Sequence, residues 1–318
     1  MDASRTDLSW SDLQPCFEQE GFPVSGAVDF ALAEEAYQPH AKAYVEWIHR
    51  GSHGAMKYLE RGLDRRLNPK LVFPELQSVI AVLLPYSPDP VGTEELRYAR
   101  YLNGPDYHEL LKEKLERVFV RLKEEGRLPE NFKYKTCVDT SAVLERSWAL
   151  LTGLGWIGKN TLLIHPQIGS YAFIGVVFTN ATFGEHPKAL KDYCGSCTRC
   201  IGACPTKALS PHDLNANECI SYLTLEKRGD WQKAVNLSGF VAGCDLCQEV
   251  CPYNTKAVRY RSTNEQASYL VTELDTLALE TKEQYADRIS GTALSRIKYE
   301  DFRRNLDNVL KQNEVRKE

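Results

Sequence analysis

No stretch of the 318-residue chain approaches the ~18 consecutive apolar residues that a membrane-spanning helix needs, and the first ten residues hold no apolar signal core. The expectation is a cytoplasmic protein without membrane contact. Neither sign of charge dominates, since 39 Lys and Arg stand against 43 Asp and Glu for a net −4, so overall charge does not point to a nucleic-acid partner. No GxGxxG fingerprint or P-loop follows any strand-like run, which leaves nucleotide phosphate binding without local support. No repeat of 20–50 residues is visible. With 43% apolar, 10% aromatic and 26% charged residues, wholesale disorder, collagen and coiled coil are excluded. At roughly 150 residues per domain, the length suggests two domains and a small appendage.

Residues 1–185 alternate helical and strand patterns. Residues 41–62 read as a helix, and the near-continuous apolar run at 77–85 reads as a strand covered on both faces. Leu110, Leu111, Leu115, Val118, Phe119 and Leu122 recur at three and four, and Gly126 stops the helix they define. A strand is expected at 133–138, a helix from near Ser141 toward Gly153, and extended segments at 161–164 and 170–179. The fold class expected is α+β: an α/β-type domain over 1–185, a ferredoxin-like domain over 186–262, and a helical C-terminal segment over 263–318.

Ten cysteines in a cytosolic chain point to metal or redox chemistry, because disulfides rarely persist there. Eight of them fall between 194 and 251. Cys194, Cys197, Cys200 and Cys204-Pro205 form C-x2-C-x2-C-x3-C-P, the bacterial ferredoxin run in which the fourth thiolate reaches the other cluster. Cys244, Cys247 and Cys251-Pro252 form a second run one cysteine short, and the isolated Cys219 completes it. The crossover rule assigns Cys194, Cys197, Cys200 and Cys251 to one 4Fe–4S cluster, and Cys204, Cys219, Cys244 and Cys247 to another. The competing reading is two structural zinc sites. Cys16 and Cys137 lie outside both runs and read as small buried residues.

The run Glu145-Arg146-Ser147-Trp148, continuing through Gly153-Leu154-Gly155-Trp156-Ile157-Gly158-Lys159-Asn160, resembles the epoxyqueuosine reductases. Val138-Asp139-Thr140, both cysteine runs, residues 64–70 and residues 296–305 share the likeness, which covers most of the chain. Between Arg100-Tyr101 and Asp106-Tyr107-His108, which match, Asn103 and Pro105 replace the family's aromatic and basic residues. The resemblance implies a cobalamin- and iron–sulfur-dependent enzyme that reduces epoxyqueuosine to queuosine at the wobble base of tRNA, the last step of queuosine synthesis. Electrons would pass through two clusters to a base-off cobalamin without a histidine ligand.

Asp139 matches the family's catalytic aspartate. As a proton donor to the opening epoxide it would need a raised pKa, while its alternative role is to cap the following helix with Thr140. Arg66, Ser221 and Asp245 are expected at the corrin periphery, with Ile174 and Val177 presented to its ring and their alternative being plain core. Lys159-Asn160 reads as substrate-positioning or as a turn, and His108, His165 and His186 as structural or surface residues. Lys227 and Arg228 are candidates for tRNA contact, with weaker basic clusters at 57–70 and 296–304. The partners expected are tRNA and a low-potential electron donor, and the chain is expected to be a monomer. Two other readings share these modules: a reductive dehalogenase-like enzyme and a non-catalytic electron carrier.

Overall fold

The computed structural model describes residues 8–188, 190–231, 235–255, 269–270 and 273–317. A four-stranded antiparallel sheet forms its N-terminal part, in the spatial order Val24–Asp29, Ser78–Pro85, Ala172–Thr179, Tyr134–Cys137. Side chains two apart on a strand share a face, so each strand feeds two cores. On one face Ile80, Val82 and Val177 meet Trp10 and Phe17 of the helix Trp10–Gln19, and Leu111, Leu115 and Phe119 of the helix Tyr107–Glu124. On the other, Val79, Val176 and Phe178 meet Phe30 and Tyr37 of the helix Phe30–His49, and Trp148 of the helix Glu145–Leu151. The central run is therefore apolar throughout because helices cover both faces.

Two expectations shift. The helix expected at 41–62 runs Phe30–His49, and turns follow it where Gly51, Gly54 and Gly62 take positive φ. The helix expected from Ser141 begins at Glu145 with Leu144 at its N-cap position, so neither Asp139 nor Thr140 caps it. The helix Trp10–Gln19, whose buried Trp10, Leu13 and Phe17 recur at three and four, and the strand Val24–Asp29 lie outside those expectations.

A second core ignores the expected boundary at 185. Arg97–Tyr98 pairs in parallel with Phe240–Ala242, and Leu96, Tyr98 and Leu102 pack with Tyr222, Leu223, Leu277, Tyr285, Phe302 and Leu306. The terminal helix Tyr299–Lys317 is thus an integral wall of that core. Its fully buried Asn305 donates to the carbonyls of Thr224 and Val241, and burying Phe302 and Leu306 contributes about 1.5–3 kcal/mol each. The boundary expected at 262/263 lies outside the described residues. Among the described residues, no helix is long and apolar enough to cross a membrane.

Candidate active site and cysteine centres

Asp139 sits just past the strand Tyr134–Cys137, with its backbone in the left-handed region at φ +50°. Such a conformation costs energy in a non-glycine residue and persists where surrounding contacts enforce it. Here they do. His108 Nε2 lies 2.9 Å from Asp139 Oδ2, the Tyr107 hydroxyl donates to the same oxygen at 3.2 Å, and Arg296 Nη1 stands 3.6 Å away. His108 is itself held on its far side, where Nδ1 lies 2.5 Å from Asp106 Oδ1. Asp106 also caps the helix Tyr107–Glu124 by accepting from the His108 backbone N–H, so one residue starts the helix and fixes the ring.

The Asp139 side chain is 55% exposed yet crowded by protein, the signature of a group in an open recess. Tyr58, Tyr101 and Tyr107 all feel its charge and that of Arg296, which places them around the same recess. Burial acts to raise the Asp139 pKa, but the bond and charge of His108, then Arg296 and Tyr107, outweigh it and hold the carboxyl below its ordinary value. The protein groups alone thus act downward, whereas the rise expected of Asp139 depends on burial against a corrin face. His108, expected to be merely structural, touches the candidate proton donor directly. At Glu145, burial dominates and pushes the carboxyl up to about 8, and its Oε1 is buried without a hydrogen bond.

The eight clustered cysteines fall into two neighbourhoods. Cys194, Cys197, Cys200 and Cys251 line one cavity of about 270 Å³. Cys204, Cys219, Cys244 and Cys247 feel one another, and Cys247 also feels Cys200 across the gap between the sets. Burial raises the Cys244 and Cys247 thiols strongly, and this second set is termed inner for its contact with the buried Asp245, although Cys251 of the first set is the least exposed of the eight. It adjoins the recess through Asp245 and Tyr101. Among the described residues no three Cys, His, Asp or Glu side chains converge on a point that a single ion would fill. Cys16 and Cys137 are buried in the N-terminal cores, as expected.

The remaining candidates part company. Ile174 and Val177 lie three apart on one strand and so face opposite sides of the sheet. Ile174 is half-buried, whereas Val177 is fully buried under the helices Trp10–Gln19 and Tyr107–Glu124, which removes it from any ring face. Asp245, 1% exposed, accepts from the backbone N–H and guanidinium of Arg100 at 2.8 and 3.0 Å, so it is a buried structural anion and not a peripheral contact. Arg66 is also buried, and its guanidinium donates to the Arg61 carbonyl. Ser221 is half-buried on the helix Ile220–Leu225. Arg228 pairs with Asp301 and donates to the Arg296 carbonyl, while Lys227 is half-buried beside it. Arg303 and Arg304 spend their guanidinium groups on backbone carbonyls, so these two serve the core. In the divergent segment 102–105, the Tyr269 hydroxyl bonds the carbonyls of Leu102 and Gly104, pinning the chain back.

Residues 193–254 match the family model of a 4Fe-4S double cluster binding domain, which makes this an iron–sulfur protein with a helix-and-sheet partner domain. Residues 66–140 match the model described as epoxyqueuosine reductase QueG, DUF1730. Epoxyqueuosine reductases of Leadbetterella byssophila and Prochlorococcus marinus are 34% and 36% identical, each over 96% of this chain and over 97% and 98% of their own lengths. The chain belongs to the epoxyqueuosine reductase family. A solved epoxyqueuosine reductase with an epoxyqueuosine-modified tRNA-Tyr stem loop is 28% identical with a TM-score of 0.79, covering 94% of this chain and 80% of that one. The Bacillus subtilis enzyme, solved with its catalytic aspartate loop swung out of the active site, is 26% identical at the same TM-score and coverage.

Proposed function

We propose that this chain reduces epoxyqueuosine to queuosine in tRNA, with Asp139 as the group that hands protons to the departing oxygen. The observation that carries this reading is the Asp139 recess itself, a carboxylate held by His108, Tyr107 and Arg296. Cys194, Cys197, Cys200 and Cys251 would hold an outer 4Fe–4S cluster, and Cys204, Cys219, Cys244 and Cys247 an inner one. The shared cavity of the first set and the mutual proximity of the second support this pairing, and thiols spread round a space suit a cubane better than a zinc ion.

Cobalamin, base-off and without a histidine ligand, fits the recess on one observation of this structure. The wall carries the aromatic rings of Tyr58, Tyr101 and Tyr107 and the orphaned Glu145 Oε1, a polar group awaiting a partner such as a corrin amide. Of the residues expected to hold it, Ser221 and Ile174 are the half-buried ones, with Asp139 facing the reacting centre. When bound, it supplies the nucleophile and relays the two electrons.

Breaking both C–O bonds of the epoxide to leave an alkene and water consumes two electrons and two protons. Asp139 can deliver one proton at a time and, with its pKa held low, rests ionised at neutral pH. His108 is placed to recharge it, with Nε2 toward Asp139 and Nδ1 held by Asp106. A proton handed over through His108 Nε2 passes to Asp139 and from it to the epoxide oxygen, and solvent supplies the second proton along the same path before the hydroxyl leaves as water. The exposed Arg296 and Lys298 and the neighbouring Lys227 and Arg228 form a basic margin suited to the stem-loop phosphates. The base itself must be splayed from its loop to reach Asp139.

Anaerobic reconstitution followed by assay on an epoxyqueuosine stem loop tests the proposal. About eight irons and one corrin per chain with conversion to queuosine are expected. Eight irons without corrin binding would favour the electron-carrier reading, and turnover of a halogenated aromatic instead of the stem loop would favour the dehalogenase reading.

A further inference from the structure

We infer that Trp156 and Asn160 are sulfur-directed hydrogen-bond donors that set the reduction potential of the outer cluster. The inference rests on the two-cluster reading above and gives the Gly155–Asn160 run a task that neither substrate positioning nor a simple turn explains. Buried N–H groups are nearly always paired. Trp156 is 1% exposed and Asn160 4%, yet Trp156 Nε1 and Asn160 Nδ2 make no hydrogen bond.

Both stand at the outer cysteine set. Asn160 lines the cavity together with Cys194, Cys197, Cys200 and Cys251. Trp156 packs in one small core with Cys251 and against Cys194, and its indole N–H lies within reach of the Cys194 sulfur, as does the Lys159 backbone N–H. The Asn160 carbonyl oxygen is already taken by the Leu162 N–H at 3.3 Å, so the amide is oriented with its NH2 left over.

The local fold fixes these donors firmly. Trp156–Ile157 and Leu163–Ile164 form a hairpin whose loop is closed by the Gly158 N–H to the Leu162 carbonyl at 2.8 Å. A Cβ on Gly155 would stand 2.4 Å from the Ile164 carbonyl oxygen, so only glycine lets the two arms close. Lys159 Nζ then bonds the carbonyls of Gly195 at 2.6 Å and Cys197 at 3.1 Å, tying the hairpin to the first cysteine loop. The inner set has its own donors, the backbone N–H groups of Ser221, Tyr222 and Leu246 and, at Cys204, the Ala208 N–H at 3.3 Å and the Thr206 hydroxyl at 3.4 Å. Hydrogen bonds to cluster and cysteine sulfur draw off charge and favour the reduced state. Two side-chain donors at one centre therefore raise the outer potential independently of the inner one.

The test is an EPR-monitored redox titration of the reconstituted full-length protein. Trp156→Phe and Asn160→Leu should each keep about eight irons per chain and shift the outer midpoint to lower potential. A shift approaching a tenfold change in the oxidised-to-reduced ratio, about 59 mV for one electron, is expected for each, with the inner midpoint unmoved. Full iron content with both midpoints unchanged overturns the proposal. Should Trp156→Phe fail to fold, pulsed EPR on wild-type protein carrying 15N-indole tryptophan replaces it. A hyperfine coupling from one indole nitrogen to the reduced cluster is expected, and its absence overturns the Trp156 assignment. Failure of the parent reading looks different: wild-type protein that takes up zinc, or only about four irons, has no outer cluster to tune.

Discussion

Burial pushes the titratable groups of both reactive regions upward, and the two regions answer it in opposite ways. At Cys244 and Cys247 it raises the thiols, and the neighbouring groups that reinforce it are other cysteines and the acidic Asp245. At Asp139 it is outweighed by an imidazole, a guanidinium and a phenol, and the carboxyl is held low. The inner thiols therefore need the positive charge of a metal cluster to ionise, whereas the Asp139 region is electrostatically complete from its own residues. One region is assembled by its cofactor and the other is assembled by the fold.

The sharpest way to break that contrast is to remove an inner ligand. Cys247→Ser should cut the iron content from about eight to about four per chain and abolish epoxide reduction, read by iron analysis and product formation. Asp139→Asn should leave iron content and stem-loop affinity unchanged while single-turnover reduction falls by ~10²–10⁴-fold; a fall in affinity with an unchanged rate would assign Asp139 to binding. Asp245→Ala removes one of two carboxylates on Arg100, Glu249 remaining at 2.7 Å, so the holoprotein should lose about 1.5–3 kcal/mol of stability, read as a lowered unfolding midpoint.

His108→Gln keeps a donor toward Asp139 but cannot carry a proton. A loss of roughly tenfold in the single-turnover rate is expected, with iron content unchanged. The groups facing this pair are Asp106, Tyr107, Tyr101, Tyr58, Arg296, Glu145 and Arg146, and each must be unaltered for the comparison to hold. An unchanged rate in His108→Gln with Asp139→Asn inactive would leave Asp139 standing and remove the relay. The smallest effect expected is at Glu145, whose folded pKa lies above its unfolded value. The folded state binds the extra proton, so stability declines as pH rises from about 4.5 to about 8, and Glu145→Gln should flatten that slope in pH-dependent thermal melts.

Legibility in the sequence followed the distance over which a feature is specified. The central strand Ser78–Pro85 and the helix Tyr107–Glu124 lay close to where their periodicity put them, because pattern and partner layer agree. The helix after Asp139 started late because the segment 139–144 is shaped by contacts to distant residues, not by capping. Val177 and Asp245 misled for the same reason, since a strand's two faces and a buried ion pair depend on what packs against them. His108 carried a faint signal, the Asp two residues before it, but nothing local announces a bond to Asp139 thirty-one positions on.

Ligand spacing belongs to the chain itself: thiols three and four residues apart are gathered by a turn or a short helix whatever the rest of the molecule does. The cysteine chemistry and the family likeness were therefore written in one dimension. Bringing Arg296 and His108 to Asp139, and turning the Trp156–Asn160 hairpin toward the Cys194 loop, requires closing long loops. Only the burial of two sheet faces and a shared second core supplies the free energy for that closure, so those contacts belong to the tertiary structure alone.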